Sequence, residues 1–423
     1  MRRMIRPKPL SLISSRVGDF VATVSISLLM VAGLIGSTQA QTYTIIHTFD
    51  GCAGGYEPMA TLTLDRAGNL YGTTAFGGSG CSHQGRGLAF RLQHAGNGWV
   101  EVPIHTFMGG PGDGYEPFNY GGLTIGRDGT LYGTTNAGGE YNLGTVFRLQ
   151  PTPNTCQATL CPWLTTLLYS FNNSGPGGYD LYGNVVFDSA GNLYGTTVLQ
   201  NGVASGTVFK LANSGGSWTE ENVYQFGGGV YSLGGVTFDP AGDLYGVTYN
   251  GGEYGSGTVF ELTPSGSGWA FNTLYTFTAG SDGSYPIGAP VLDQAGNIYG
   301  TTSGDGSAGT VYELSPSGSG WTFQLLYGFQ GHGGPESSVT LDASGNLYGT
   351  TTEDGAFGQG MVFKLTHHGD SWAFTDLHDF LSGENGDGAN PLGGVTLDLS
   401  GNLYGTTSAG GTYGAGIAWK ITP

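Results

Sequence analysis

Charge is what this chain of 423 residues has least of. Asp, Glu, Lys and Arg together make up 10%, against about 25% in an ordinary soluble domain. Basic residues are the scarcer sign, 13 against 31 acidic, and the formal charge is −18. A surface of that sign repels nucleic acid and anionic membrane. There are only four cysteines, with no CxxC spacing and no neighbouring His pair, which disfavours a zinc site. Long helices are disfavoured because Gly supplies 81 residues while Lys, Glu and Leu are sparse. The glycines follow no Gly-X-Y period, which excludes collagen. A GxSxG elbow, an HExxH helix and a Walker loop are all missing.

Aromatics are plentiful: 24 Tyr, 21 Phe and 7 Trp. That is enough apolar surface for a real core, and it argues against disorder. Many aromatics, many glycines and few helix formers predict an all-β protein rich in turns.

The first forty residues read as an export signal. Arg2, Arg3, Arg6, Lys8 and Arg16 precede an apolar run from Val21 to Ile35, and small residues lead to Ala40. That order predicts a signal peptide over 1–40, cut after Ala40. The run is short for a membrane span of about 20 residues. Its removal leaves 8 basic and 30 acidic residues, a charge of −22. The product is expected to be secreted or periplasmic, monomeric and free of the membrane after cleavage. In that compartment an even number of cysteines suggests disulfides. The predicted pairs are Cys52 with Cys81, both in loops of the first repeat, and Cys156 with Cys161, in one excursion of the second.

Residues 41–423 form one predicted domain made of a single repeated unit. Gly-Asn-Leu-Tyr-Gly-Thr-Thr occurs at 68–74, 191–197, 345–351 and 401–407, with variants at 129–135, 242–248 and 296–302. Its tyrosines recur every 49 to 62 residues, a period that fits propeller blades and is too long for a β-helix. Each unit reads as four strands, typified by 234–239, the Leu-Tyr-Gly-Thr-Thr stretch, 206–211 and Trp269 to Phe277. Asp-x-x-Gly joins the first and second strands, with Asp bonding backbone amides and Gly accepting positive φ. The second repeat departs, reading Gly126-Arg127-Asp128-Gly129. The last repeat has three strands, while Tyr43 to Phe49 reads as an unattached fourth. The prediction is a seven-bladed β-propeller of four-stranded blades, closed by the N-terminal strand completing the last blade.

The Gly-Asn-Leu-Tyr-Gly-Thr-Thr stretch, followed by Gly-Gly and then Gly-Thr-Val-Phe-Lys-Leu, resembles the GloVer (Gloeo/Verruco) tandem repeat of bacterial extracytoplasmic proteins. The likeness spans nearly all of 42–423. It implies a propeller-like fold outside the cytoplasm and names no substrate. Members carry varied C-terminal surface anchors. This sequence shows none, so secretion or periplasmic residence is expected in place of anchoring.

Strand order places the blade-to-blade loops and the loops between second and third strands on one face, where function on a rigid scaffold usually sits. Candidate ligand-binding residues there are Tyr56, Glu57, Asp113, Tyr115, Glu116, Tyr179, Asp180, Tyr254, Asp282, Tyr285, Glu336 and Asp387. Aromatic rings can stack on sugars and carboxylates can accept their hydroxyls. The same oxygens suit calcium, so Ca2+ is the one ion considered, with no other cofactor and no metal site expected. The expected function is non-catalytic binding of an extracellular glycan or macromolecule. The alternative is a carbohydrate-active enzyme, a glycoside hydrolase or lyase using rim carboxylates. A third possibility is that Tyr and Pro simply pack these loops while the carboxylates face water. His47, His105 and His378 fill a strand-four slot held elsewhere by Tyr, and read as structural. His83 and His332, in long loops, are the candidate bases.

Overall fold

A computed structural model describes residues 41–423 apart from 119, 153–162, 305–307, 319, 370 and 382–386. Tyr43–Thr422 is one compact unit. It is an all-β, seven-bladed propeller of four-stranded antiparallel sheets. Blade 4 is typical: Thr237–Phe238, Leu244–Thr248, Thr258–Ser265 and Gly268–Thr276, each beside the next. The seventh sheet holds Thr396–Leu397, Leu403–Thr407, Ile417–Thr422 and Thr42–Thr48, in that spatial order. Cys52 and Cys81 are disulfide-bonded; Cys156 and Cys161 lie outside the described residues.

Every position of the repeated motif has a physical task. In the first blade, Asp65 Oδ1 accepts the amides of Ala67 and Asn69 at 2.8 and 2.9 Å. Its Oδ2 accepts Asn69 Nδ2 at 2.8 Å and the Tyr71 hydroxyl at 3.0 Å. Asp188, Asp293, Asp342 and Asp398 repeat the pattern. At Asp342 and Asp398 burial alone would raise the carboxyl pKa. The Asn and Tyr bonds outweigh it and hold both below the usual carboxylate range. The motif's inner glycine admits an aromatic of the third strand: a Cβ on Gly349 would lie 2.5 Å from Phe363 Cζ. Its first threonine ties blades together. Thr134, Thr196, Thr301 and Thr350 donate to Gly183 O, Gly234 O, Ser337 O and Gly393 O of the following blade, at 2.6–2.9 Å.

The first strands are shorter than the sequence suggests, only Thr237–Phe238 in blade 4. The Gly-Gly ahead of it abuts the next blade: a Cβ on Gly234 would sit 2.1 Å from Ile287 O. Innermost strands thus meet their neighbours backbone to backbone. Further out, the core of the described residues consists of seven clusters, each shared by two blades. The Phe ending each fourth strand inserts into the next blade, as Phe107 onto Phe147 and Phe329 onto Phe363, with centroids 5.1 and 5.2 Å apart. A bulge in strand four turns one apolar residue toward the same cluster. Leu274 and Leu326 are examples. Stability therefore resides between blades as much as within them.

Candidate functional site

The long-loop face is held by a recurring kink. Glu57, Glu116, Asp180, Tyr285 and Asn390 occupy one position in five blades, all with positive φ between 53° and 70°. That conformation is uncommon outside Gly. Two backbone bonds fix it. The Glu116 amide donates to Arg86 O of the preceding blade at 3.0 Å, and its carbonyl accepts from Asn136 N at 3.0 Å. The kinked residues of the other four blades bond in the same way. Tyr231 and Gly334 accept equivalent bonds in the remaining blades, from Tyr249 N and Thr352 N. Backbone roles are constant around the ring while side chains vary, so the repeat builds a scaffold on which side-chain chemistry is free to change.

The candidates separate into three groups. Asp113, Asp282 and Asp387 hold their own loops. Asp113 contacts His105 Nε2 at 3.1 Å and accepts from the Met108 and Gly114 amides. Asp282 accepts from Tyr275, Thr278 and Gly280, and Asp387 from Tyr43, Leu381 and Gly388, with His378 3.4 Å away. Burial would raise the pKa of Asp282 and Asp387, but these bonds keep both low. His47 Nε2 lies 3.1 Å from Glu101, a carboxylate within the fourth strand of blade 1, so all three strand-four histidines sit against carboxylates. Tyr56, Tyr115 and Tyr179 pair with Phe76, Ala137 and Leu199 and fasten one long loop to the other. Arg86 lies over Tyr115, 5.2 Å from its centroid.

The second group is buried or paired on other loop residues. Tyr120, in blade 2, stacks 6.3 Å from Tyr182. Its backbone links Tyr182 O to Thr61 N, which spans blades 1 to 3. The Tyr120 hydroxyl is pushed up to about 12 by burial, with Glu336 and Tyr182 adding to the effect. Glu336 belongs to blade 6. Its charge therefore reaches a residue of blade 2 from a blade that is not its neighbour. Burial, then Glu353, raises the Glu336 carboxyl. Burial also raises Glu116, opposed by Arg86, and Asp180, opposed by its bond from Asn136 Nδ2. Tyr285 lies tilted 5.0 Å from Tyr249, which stacks 5.6 Å from Tyr231. Glu57 faces His83 Nε2 at 3.3 Å.

The third group stands at the loop tips. Tyr254 is 56% exposed, and Tyr141, Phe357 and Tyr413 are exposed at 53, 54 and 65%. All four lie four residues before the third strand of their blade. Beside Tyr254 runs a groove of about 350 Å3 lined by Tyr224, Phe271 and Glu253. Among the described residues no group of three or more His, Cys, Asp or Glu is placed to hold a metal ion, and no helix is long and apolar enough to cross a membrane.

The Gloeobacter/Verrucomicrobia repeat matches residues 8–238 and 232–423. The chain belongs to that family. A search of the curated proteins returned no match. Among solved structures, similarity extends to the extracellular domain assigned to a one component system from B. thetaiotaomicron, with TM-score 0.51 and 12% identity. The match covers 88% of this chain and 39% of that one, so this chain spans well under half of its length. A protein assigned as a 6-phosphogluconolactonase from Bacteroides fragilis matches at TM-score 0.48 and 14% identity, over 88% of each chain. A puromycin-hydrolyzing peptidase of Mycobacterium tuberculosis matches at 0.49 and 11%, over 83% of this chain and 49% of that one. At such identities the likeness concerns the fold alone.

Within this Gloeobacter/Verrucomicrobia repeat protein, sequence reasoning passed over Tyr120, Tyr182 and Phe357. The first had a signal: Asn119-Tyr120 is a two-residue insertion before the Gly-Gly of the second repeat. Phe357 was recoverable by counting back from the third strand, since it aligns with Tyr141, Tyr254 and Tyr413.

Proposed function

We propose that this protein is an extracytoplasmic propeller that binds an extracellular glycan through its long-loop face and catalyses no reaction. The observation that carries this reading is the set of four exposed aromatics at one loop position. Single exposed apolar residues need no explanation, but recurrence at one position on four blades does. Rings at loop tips suit the apolar faces of sugars, and the neighbouring Glu140 and Glu253 can accept hydroxyl hydrogen bonds. The placement outside the cytoplasm rests on the disulfide, on the export signal and on family membership. The likeness to a domain described as extracellular agrees with it. We infer further that Thr42–Thr48 closes the ring, since its position beside Ile417–Thr422 supplies the fourth strand of the seventh blade.

The test is a glycan array probed with the chain from residue 41, in calcium and again in chelator. Saturable binding to one glycan class is the expected result. Loss of binding with chelator adds calcium to the site. No binding by folded protein in either buffer overturns the reading.

A further inference from the structure

The opposite face of the ring, made of the tight turns, carries an asymmetry that the repeats themselves expose. Six of the turns between first and second strands open with Asp; the second opens with Gly126. The turn still closes, with Gly126 N donating to Thr130 O at 2.7 Å. Asp128 now serves it, accepting from the Thr130 amide and hydroxyl at 3.1 and 2.8 Å. Tyr132 is left without the Asp Oδ2 that its counterparts in blades 1, 3, 5, 6 and 7 reach.

Beside Tyr132 opens a cleft of about 700 Å3, walled by Tyr132, Phe187 and Trp218 and bearing Arg127 and Arg148. Asp128 and Asp188 also line it, and both accept hydrogen bonds from their own turns. The next cleft, of about 500 Å3, has the equivalent walls in Tyr194, Phe238 and Trp269. It has no cation. Ser189 stands where Arg127 stands, and Lys210, the counterpart of Arg148, is held by Glu221 at 2.9 Å. In blade 2 the cross-strand neighbour of Arg148 is Thr166, whose hydroxyl its Nη2 reaches at 3.4 Å; the nearby carboxylate whose pKa it lowers, Asp128, is bonded to its own turn. Arg148 Nε is buried without a partner. Arg127 is exposed and makes no ion pair among the described residues. Arg66 joins Arg127 in the adjoining cleft toward blade 1. Three of the eight basic residues after position 41 thus collect on one patch of an otherwise acidic chain.

We propose that this cleft binds an anionic sugar, with Trp218 and Tyr132 against the ring and Arg127 and Arg148 on its carboxylate or phosphate. The planar guanidinium fork matches either group, aromatic walls suit a ring, and the volume is that of a small-ligand site. The site lies on the face opposite the loop-tip aromatics and stands independently of them.

The experiment is calorimetric titration with trigalacturonate and with glucose 6-phosphate, with maltotriose as the neutral control. At least one anionic sugar should bind saturably, more weakly in high salt, and maltotriose should not. Arg127→Ser, which copies blade 3 at an exposed position, should weaken binding about tenfold or more, a loss of roughly 1.4 kcal/mol. Gly126→Asp gives Tyr132 a carboxylate and sets a negative charge beside both arginines, and should abolish binding with the melting temperature preserved. Binding of carboxylate alone or phosphate alone identifies the group recognised. Failure of both anionic sugars to bind, equal binding of maltotriose, or unchanged affinity in Arg127→Ser overturns the proposal.

Discussion

Two glycines four residues apart in blade 6 should fail for different reasons when replaced by alanine. Gly349, the inner glycine of the motif, has a negative φ, but its Cβ would lie 2.5 and 2.9 Å from Phe363 Cζ and Cε1. Phe363 is fully buried, with Phe329 at 5.2 Å and Phe374 at 6.2 Å, so its ring has little room to retreat. Gly349→Ala should therefore cost about 3 kcal/mol, the upper end of the overpacking range. Gly345 has φ +83° and nothing within 4 Å of a Cβ. Gly345→Ala should cost about 1–2 kcal/mol for the left-handed backbone alone. Phe363→Leu removes the atoms that Gly349→Ala strikes and costs about 1.5 kcal/mol by itself. Urea unfolding followed by tryptophan fluorescence gives the four free energies of the cycle. The Gly349→Ala and Phe363→Leu pair should fall short of additivity by at least about 1.5 kcal/mol, while Gly345→Ala with Phe363→Leu should add within about 0.5 kcal/mol. Additivity of the first pair would refute the reasoning that the motif's glycine exists to admit the aromatic ring.

Other consequences follow from the same contacts. Asp342 and Asp398 titrate below their unfolded values, so the stability they contribute is present above the unfolded carboxyl pKa of about 3.9 and is lost as pH falls through the folded one. Asp342→Asn with Asp398→Asn should flatten the acid limb of the melting profile below about pH 4. Glu336 has the opposite sign: its raised pKa makes ionisation costly to the fold as pH rises past it. Glu336→Gln should raise the urea midpoint at pH 7 and leave it unchanged at pH 4. Replacing Cys52 and Cys81 by Ser releases a loop with a sequence separation of 29, and should lower stability by about 3–4 kcal/mol on the loop-entropy estimate. Thr350→Val deprives Gly393 O of its inter-blade donor and should cost about 1–3 kcal/mol. An effect below 0.5 kcal/mol at Thr350 would show that these links are dispensable.

The fold was legible because the repeat writes the same physics seven times. Asp-x-x-Gly-Asn-Leu-Tyr can be read as a turn before any coordinate is seen, since Asp, Gly and Asn each have a narrow use there. Strand-four Phe and Trp announce the inter-blade core by their recurrence. The site was less legible. Asp113, Asp282 and Asp387 look like rim carboxylates in the sequence. Their partners His105, Tyr275 and His378 stand seven to nine residues earlier, across a loop whose return path only the fold determines. Glu336 and Tyr120 are 216 positions apart, and only the closed ring brings blades 2 and 6 within electrostatic reach of each other. Tyr254 was identifiable alone, whereas its significance depends on Tyr141, Phe357 and Tyr413 sharing its place in other blades. The positive φ of Glu57, Glu116 and Asp180 had no sequence signal, because Glu rarely adopts that conformation.

The most direct test of function is to compare the affinity of the chain for its array-selected glycan with that of a variant carrying Tyr141→Ala, Tyr254→Ala, Phe357→Ala and Tyr413→Ala. These side chains are exposed, so the variant should melt with the parent protein. Binding should fall by about a hundredfold or more if each ring contributes even 0.7 kcal/mol, within the usual range for aromatic contacts. Equal affinity in the two proteins would contradict the assignment of the long-loop face as the binding surface.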